Sequence, residues 1–181
     1  MEAGRPFMRK RNKIFIIGYM GTGKTTIAQL LSEKVGLPWI DTDRLIEEKM
    51  KMPVNEIFRK YGEKRFRKEE KKLLKGLKKE HNVIISCGGG LPCDDENISY
   101  MLEEGKVVWL MASIEGIVRR VAMTDERPLL SGMSKTALTS KIAKHLRERK
   151  KYYSKANIKI WNRGDPVDTV NRLINYLRKY D

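Results

Sequence analysis

One run of residues constrains this chain more than any other: Gly18-Tyr19-Met20-Gly21-Thr22-Gly23-Lys24-Thr25-Thr26. It matches G-x-x-x-x-G-K-[ST], with Gly18, Gly23, Lys24 and Thr25 in the defined positions. The flanks agree with it. Lys13 to Ile17 is a short β-rich run, and Thr25 to Val35 spaces Ile27, Leu30, Leu31 and Val35 as a helix does. A strand, a glycine turn and a helix in that order form a cradle for phosphates. Gly21 and Gly23 turn the chain without a Cβ, so that successive N–H groups face an anion, and the helix N-terminus adds its positive dipole. Gly21, Thr22, Gly23, Lys24, Thr25 and Thr26 are therefore the candidate contacts to a nucleoside triphosphate. Lys24 is directed at the β- and γ-phosphates and the Thr25 hydroxyl at Mg²⁺.

Beyond this loop, short apolar runs alternate with helical patterns. Strands are predicted at Trp39-Ile40 (ending at Asp41), Asn82 to Ser86, Lys106 to Met111 and Ile158 to Ile160. Helices are predicted over Leu45–Met50, Val54–Tyr61, Phe66–Leu77, Asp94–Glu104, Ile114–Val121, Lys135–Tyr153 and Val167–Tyr180, with a polar loop over Thr124–Ser134. This alternation implies a parallel sheet covered by helices on both faces, an α/β/α sandwich. The 181 residues suit one domain over 13–181, with Met1–Asn12 as a basic extension expected to be disordered. The tryptophans Trp39, Trp109 and Trp161 lie in or beside strands and are expected in the core.

The longest apolar runs fall far short of the ~20 residues of a membrane helix. The short run Ile14–Ile17 does not make a signal peptide. Cys87 and Cys93 cannot form a disulfide framework, and a reducing, cytoplasmic setting is the simplest reading. Cys87 reads as a small buried hydrophobe. His81 and His145 have no partner motif and receive no catalytic role. Lys and Arg total 38 against 23 Asp and Glu, a net charge of +15. Such a surplus attracts nucleic acid, anionic membrane and phosphorylated small molecules alike. Much of it lies between Glu63 and Glu80, interleaved with Glu, which predicts a solvated helix face with i,i+4 pairs.

Three features mark a second substrate. Asp41-Thr42-Asp43 follows the second strand, on the side of a parallel sheet where ligands bind. Asp41 can hold Mg²⁺ through water. Asp43 can accept a proton from a hydroxyl, or equally cap the following helix. Gly62-Glu63-Lys64-Arg65-Phe66-Arg67 sets an arginine beside an aromatic ring within a charged helix. Ser86-Cys87-Gly88-Gly89-Gly90 allows close backbone approach to a small ligand after the third strand. Ser86 stands where many NTPases place a second metal-binding Asp, and there is no Asn-Lys-x-Asp run. Both facts argue against a GTPase or motor.

Taken together, these motifs resemble those of the shikimate kinases. The likeness runs from about Lys13 to Leu177. It is carried by the phosphate loop, D-T-D at Asp41–Asp43, I-F-x-x-x-G-E-x-x-F-R from Ile57 to Arg67, G-G-G at Gly88–Gly90, R-P-L-L at Arg127–Leu130 and R-x-x-x-Y at Arg149–Tyr153. The resemblance implies a P-loop kinase of the nucleoside monophosphate kinase type. Its five-stranded parallel sheet has the order 2-3-1-4-5, with acceptor-binding helices and a lid over about 124–134. It implies ATP-dependent phosphorylation of the shikimate 3-hydroxyl, with Mg²⁺. A monomer is the default expectation, because no long unexplained apolar stripe asks for a partner. Asp43 then resembles the acid that grips the acceptor hydroxyls, and Arg67 and Arg149 the pair that holds its carboxylate. Gly88, Gly89 and Gly90 resemble the pocket wall, and Arg127 the lid arginine that reaches the phosphoryl group. Arg119 and Arg120 both qualify as the adenine-stacking arginine, and spacing back from Arg127 favours Arg120. A guanidinium fork fits a carboxylate, which makes these roles chemically coherent.

Two other readings compete. A gluconate-type or adenylate kinase would share the loop; Arg67 and Arg149 aimed at one carboxylate discriminate, because a nucleotide acceptor needs a larger pocket and base contacts. An NTP-dependent nucleic-acid-binding protein would show steeply salt-dependent binding that survives Lys24→Ala. The kinase reading implies no specific nucleic-acid partner and no membrane.

Overall fold

The central strand, β1 (Lys13–Ile17), is buried along its whole length, as its unbroken Ile-Phe-Ile-Ile sequence requires. The computed structural model describes residues 13–122 and 134–179. The N-terminal extension, Arg127 and nearly all of the expected lid lie outside the described residues. β1 pairs in parallel with β3 (Val83–Ser86) on one side and β4 (Gly105–Met111) on the other. β2 (Trp39–Asp41) and β5 (Ile158–Trp161) form the edges. The order is therefore β2-β3-β1-β4-β5, the order that the resemblance implies.

Alternation along β1 sends Ile14 and Ile16 to one face and Phe15 and Ile17 to the other. On the first face they join Ile84, Val108, Leu110, Ile158 and Ile160 under α1 (Lys24–Val35) and α7 (Pro166–Lys179). On the second they join Val83, Ile85 and Val107 under α3 (Val54–Gly76), α4 (Asp95–Glu104) and the end of α6 (Lys135–Tyr153). Each fully buried Ile or Leu contributes roughly 1.5–3 kcal/mol, so the two faces fix the layer order. Two smaller clusters hang on this frame. Ile46 of α2 (Thr42–Met50) packs on Ile57 and Phe66 of α3. Tyr19 packs with α5 (Ile114–Ala122) and the first half of α6.

Three local expectations are corrected. The helix expected from Leu45 starts at Thr42, because Asp41 caps it: its carboxylate accepts from the N–H groups of Asp43 and Arg44. The two helices expected before and after Gly62 run on as α3, broken only at Gly62, where φ is 75°. Trp161 is 38% exposed at the sheet edge, stacked beneath Arg163 at 4.3 Å, rather than in the core. Trp39 and Trp109 are half-buried against the two main clusters.

Candidate active site

The phosphate loop lies between β1 and α1, at the carboxyl end of the central strand. Its glycines are required sterically. Gly18, Gly21 and Gly23 have φ of 147°, 74° and 93°, and a Cβ on Gly18 would strike the Leu110 carbonyl. Gly23 is the residue before α1, so Lys24, Thr25 and Thr26 form the helix's first turn and present their N–H groups to the loop. Lys24 Nζ donates to the Tyr19 carbonyl at 3.0 Å, and Thr22 Oγ1 donates to the same oxygen at 2.8 Å. Arg120 reaches the loop from α5 and donates to the Gly21 carbonyl at 2.9 Å, whereas Arg119 is exposed.

The ends of the next two strands supply an oxygen cluster beside Thr25. Asp41 Oδ2 accepts from Thr25 Oγ1 at 2.8 Å and from Ser86 Oγ at 2.9 Å. The other carboxylate oxygen caps α2. Asp41 therefore serves both as cap and as hub of the hydroxyl cluster, and Asp43, the alternative cap, is left to face Gly88. Among the described residues no group of three His, Cys, Asp or Glu gathers as a self-sufficient metal site. The cluster is the kind that holds a hard cation together with phosphate oxygens.

The glycine turn after β3 draws the other candidates together. A Cβ on Gly88 would strike Asp43 Oδ1 and Glu70 Oε1. One on Gly90 would strike the Arg67 guanidinium, and one on Gly89 would meet Arg149 Nη1 at 3.4 Å. Four side chains from α2, α3 and α6 thus rest on three consecutive glycines. The Gly88 N–H donates to Thr42 Oγ1 at 2.8 Å, which fixes the turn to the start of α2. Arg149 Nη1 and the Tyr153 hydroxyl both donate to the Gly89 carbonyl, at 3.1 and 2.6 Å. Burial pushes the Tyr153 phenol above its ordinary range, so it remains a donor. Arg67 donates to Glu70 at 2.6 Å and to Glu63 at 2.8 Å.

Electrostatics separate this pocket from the surface. Asp43 Oδ1 and Glu70 Oε1 are buried without a hydrogen-bond partner. Burial, reinforced by Asp41, pushes Asp43 up to about 6 despite Lys24 and Arg67. Burial pushes Glu70 up to about 7, against the pull of Arg67. An unpartnered buried acceptor is costly, and a ligand hydroxyl aimed at it removes that cost. Cys87, also behind the turn, is fully covered, and burial raises its thiol well above the ordinary value, which makes it inert packing.

The structure brings Lys24, Thr25, Asp41, Asp43, Arg67, Gly88–Gly90 and Arg149 to one end of the sheet. It also adds residues that the sequence reading missed. Glu70 sits in what was expected to be a solvated face. The pairs Arg67–Glu63 and Arg65–Glu69 are there, but Glu69 and Glu70 are 3% and 1% exposed. Glu69 instead ties α2 to α3 through Lys49 at 2.9 Å and takes Arg65 and Lys72 as further partners. Asn162, at the end of β5, donates to the Thr22 carbonyl at 2.8 Å and accepts from Thr169, bracing the phosphate loop from behind.

A glycine-rich loop between the central strand and a helix, in a parallel sheet of this order with a second pocket beside it, defines a P-loop phosphotransferase fold. The family model for shikimate kinase matches residues 20–178. A shikimate kinase of Persephonella marina is 37% identical over 91% of this chain and 98% of its own. That of Flavobacterium psychrophilum is 43% identical over 78% and 84%. The solved structure of shikimate kinase from Acinetobacter baumannii in complex with shikimate superposes with a TM-score of 0.87 at 28% identity, covering 94% of each chain. The chain belongs to the shikimate kinase family.

Proposed function

We propose that this chain transfers the γ-phosphoryl group of ATP to the 3-hydroxyl of shikimate, giving shikimate 3-phosphate and ADP, a step towards the aromatic amino acids. The observation that carries the site assignment is the convergence of Asp43, Glu70, Arg67 and Arg149 on the Gly88–Gly90 turn, beside the phosphate loop.

Phosphoryl transfer needs alignment and charge stabilisation more than covalent help. The loop N–H groups and Lys24 gather the triphosphate, with Lys24 leaving the Tyr19 carbonyl for the phosphates. Arg67 and Arg149 face the acceptor's carboxylate. For Arg67 this means exchanging Glu63, an exposed partner, for the ligand, while Glu70 continues to orient the guanidinium. Asp43 Oδ1 accepts a hydrogen bond from the reacting hydroxyl and takes its proton as the new O–P bond forms. A base near pKa 6 is matched to that task at neutral pH. Arg120 lies against the base of the nucleotide. Arg127, outside the described residues, neutralises charge on the moving phosphoryl group.

Thr25 Oγ1 and Asp41, the latter through water, are fit to hold Mg²⁺, since the cluster is all oxygen and borders the loop. When bound, the ion neutralises phosphate charge and shields the β- and γ-oxygens. Among the described residues no helix is long and apolar enough to cross a membrane. The exposed large apolar side chains Tyr61, Trp161 and Tyr176 come from three different elements, and both cysteines are unbonded. The scatter of these apolar side chains supports a monomer, and the unbonded cysteines support a reducing, cytoplasmic setting.

A coupled ADP-release assay with ATP and Mg²⁺ tests this reading, with shikimate, gluconate and AMP as acceptors. Turnover with shikimate alone is expected. Turnover with gluconate or AMP instead would leave the phosphate loop standing and overturn the acceptor assignment.

A further inference from the structure

Tyr19 lies inside the phosphate loop, yet its side chain is fully buried and points away from the loop's N–H cradle towards α6. Three residues of α6, His145, Arg149 and Tyr153, recur every fourth position and so form one stripe on the helix. Each makes a contact across the gap. The Tyr19 hydroxyl is hydrogen-bonded to His145 Nδ1 at 2.9 Å. The Arg149 guanidinium lies over the Tyr19 ring at 5.1 Å. Arg149 and Tyr153 donate to the Gly89 carbonyl. Meanwhile the Tyr19 carbonyl accepts from Lys24 and Thr22. Lys24 leaves that carbonyl when it turns to the phosphates, but the Thr22 contact lies within the loop itself, so one residue joins the phosphate loop to the arginine of the acceptor half.

We propose that Tyr19 and His145 are positioning residues that set Arg149 for the acceptor's carboxylate and tie its placement to the phosphate loop. The ring supplies a face on which the cation rests. The hydrogen bond to His145, one turn before Arg149, fixes where that helical turn meets the loop. Without it α6 keeps its Gly89 contacts through Tyr153 and its apolar packing on Tyr19 but loses the directional contact beside Arg149, which then samples more positions. Burial and the Arg149 charge hold the His145 imidazole below its ordinary value, so a neutral ring stands beside the guanidinium without repelling it.

The inference rests on Arg149 binding the acceptor, so Arg149→Ala is measured alongside. Tyr19→Phe keeps the ring and the packing but removes the hydroxyl; His145→Ala removes the partner; His145→Gln returns a hydrogen-bonding group. Steady-state kinetics and melting temperature are recorded for each. Loss of one hydrogen bond of this kind predicts a roughly fivefold rise in KM for shikimate in Tyr19→Phe and His145→Ala. Little change is expected in kcat or in KM for ATP. The double variant should be no worse than either single one, because both remove the same bond, and His145→Gln should recover most of the loss. Unchanged KM for shikimate in both single variants, additive effects, or an equal fall in kcat and in affinity for both substrates would overturn the proposal. If Arg149→Ala itself leaves KM for shikimate unchanged, the acceptor assignment of Arg149 fails; if it raises KM while Tyr19→Phe does not, only the positioning role fails.

Discussion

Asp43 and Glu70 aim their unpartnered carboxylate oxygens at one point, the space above the α-carbon of Gly88. They arrive from α2 and α3, and both are driven upwards by burial, to about 6 and about 7. The pair sets the pH response of the enzyme in two opposite directions.

For activity, Asp43 must be ionised to accept the acceptor's proton. kcat/KM for shikimate is expected to fall as pH drops through about 6, well above the 3.8 of an ordinary Asp. The pH–rate profile checks this, and the limb it reports belongs to the coupled pair.

For stability the sign reverses. The folded chain holds more protons than the unfolded one between about pH 4 and 7, so the pair's contribution to stability falls as pH rises through that window. Asp43→Asn removes one burdened carboxylate. It should stabilise the fold by up to about 3 kcal/mol at pH 8 and by almost nothing near pH 4, read by denaturant unfolding at both pH values.

Gly88→Ala places a methyl group where the two carboxylate oxygens stand. Expected is a loss of shikimate affinity and turnover of at least tenfold, from displaced Asp43. Gly76→Ala is the matched control: it lies in α3 with open space around it and should be active and slightly more stable, by roughly 0.5–1 kcal/mol. Parallel kinetics and melting curves separate the two.

Ser86→Ala removes one of the two hydroxyls on Asp41 Oδ2 and leaves the Thr25 contact. The Mg²⁺ concentration for half-maximal rate should rise severalfold, with the fold intact by circular dichroism. Asn162→Ala strips the brace from the Thr22 carbonyl and removes the acceptor of the Thr169 hydroxyl, which keeps only the Arg172 guanidinium as partner. It should cost about 1–3 kcal/mol of stability and raise KM for ATP.

Much of this site was legible in the sequence because the phosphate loop, the D-T-D run and the glycine turn each end a strand, and a parallel sheet collects strand ends on one side. What stayed hidden depended on contacts between elements. Asp43 suited the cap as well as the proton transfer, and only the reach of Asp41 to the Asp43 and Arg44 N–H groups showed that Asp41 is the cap. Glu70 was obscured by the surrounding charges, although Phe66, Glu70, Leu74 and Leu77 lie on one helical stripe whose other members are all buried. That stripe was the available signal. Asn162 and Tyr19 gave none, since each acts on a partner more than a hundred residues away in sequence.

The most direct test of the account is Asp43→Asn, read by kcat with shikimate saturating and by ATP affinity in the same preparation. The account predicts a fall in kcat of about 10²- to 10⁴-fold, the usual worth of a general base, with ATP affinity within about twofold of wild type. Turnover retained within tenfold would contradict it, and would show that the carboxylate facing Gly88 does not take the proton.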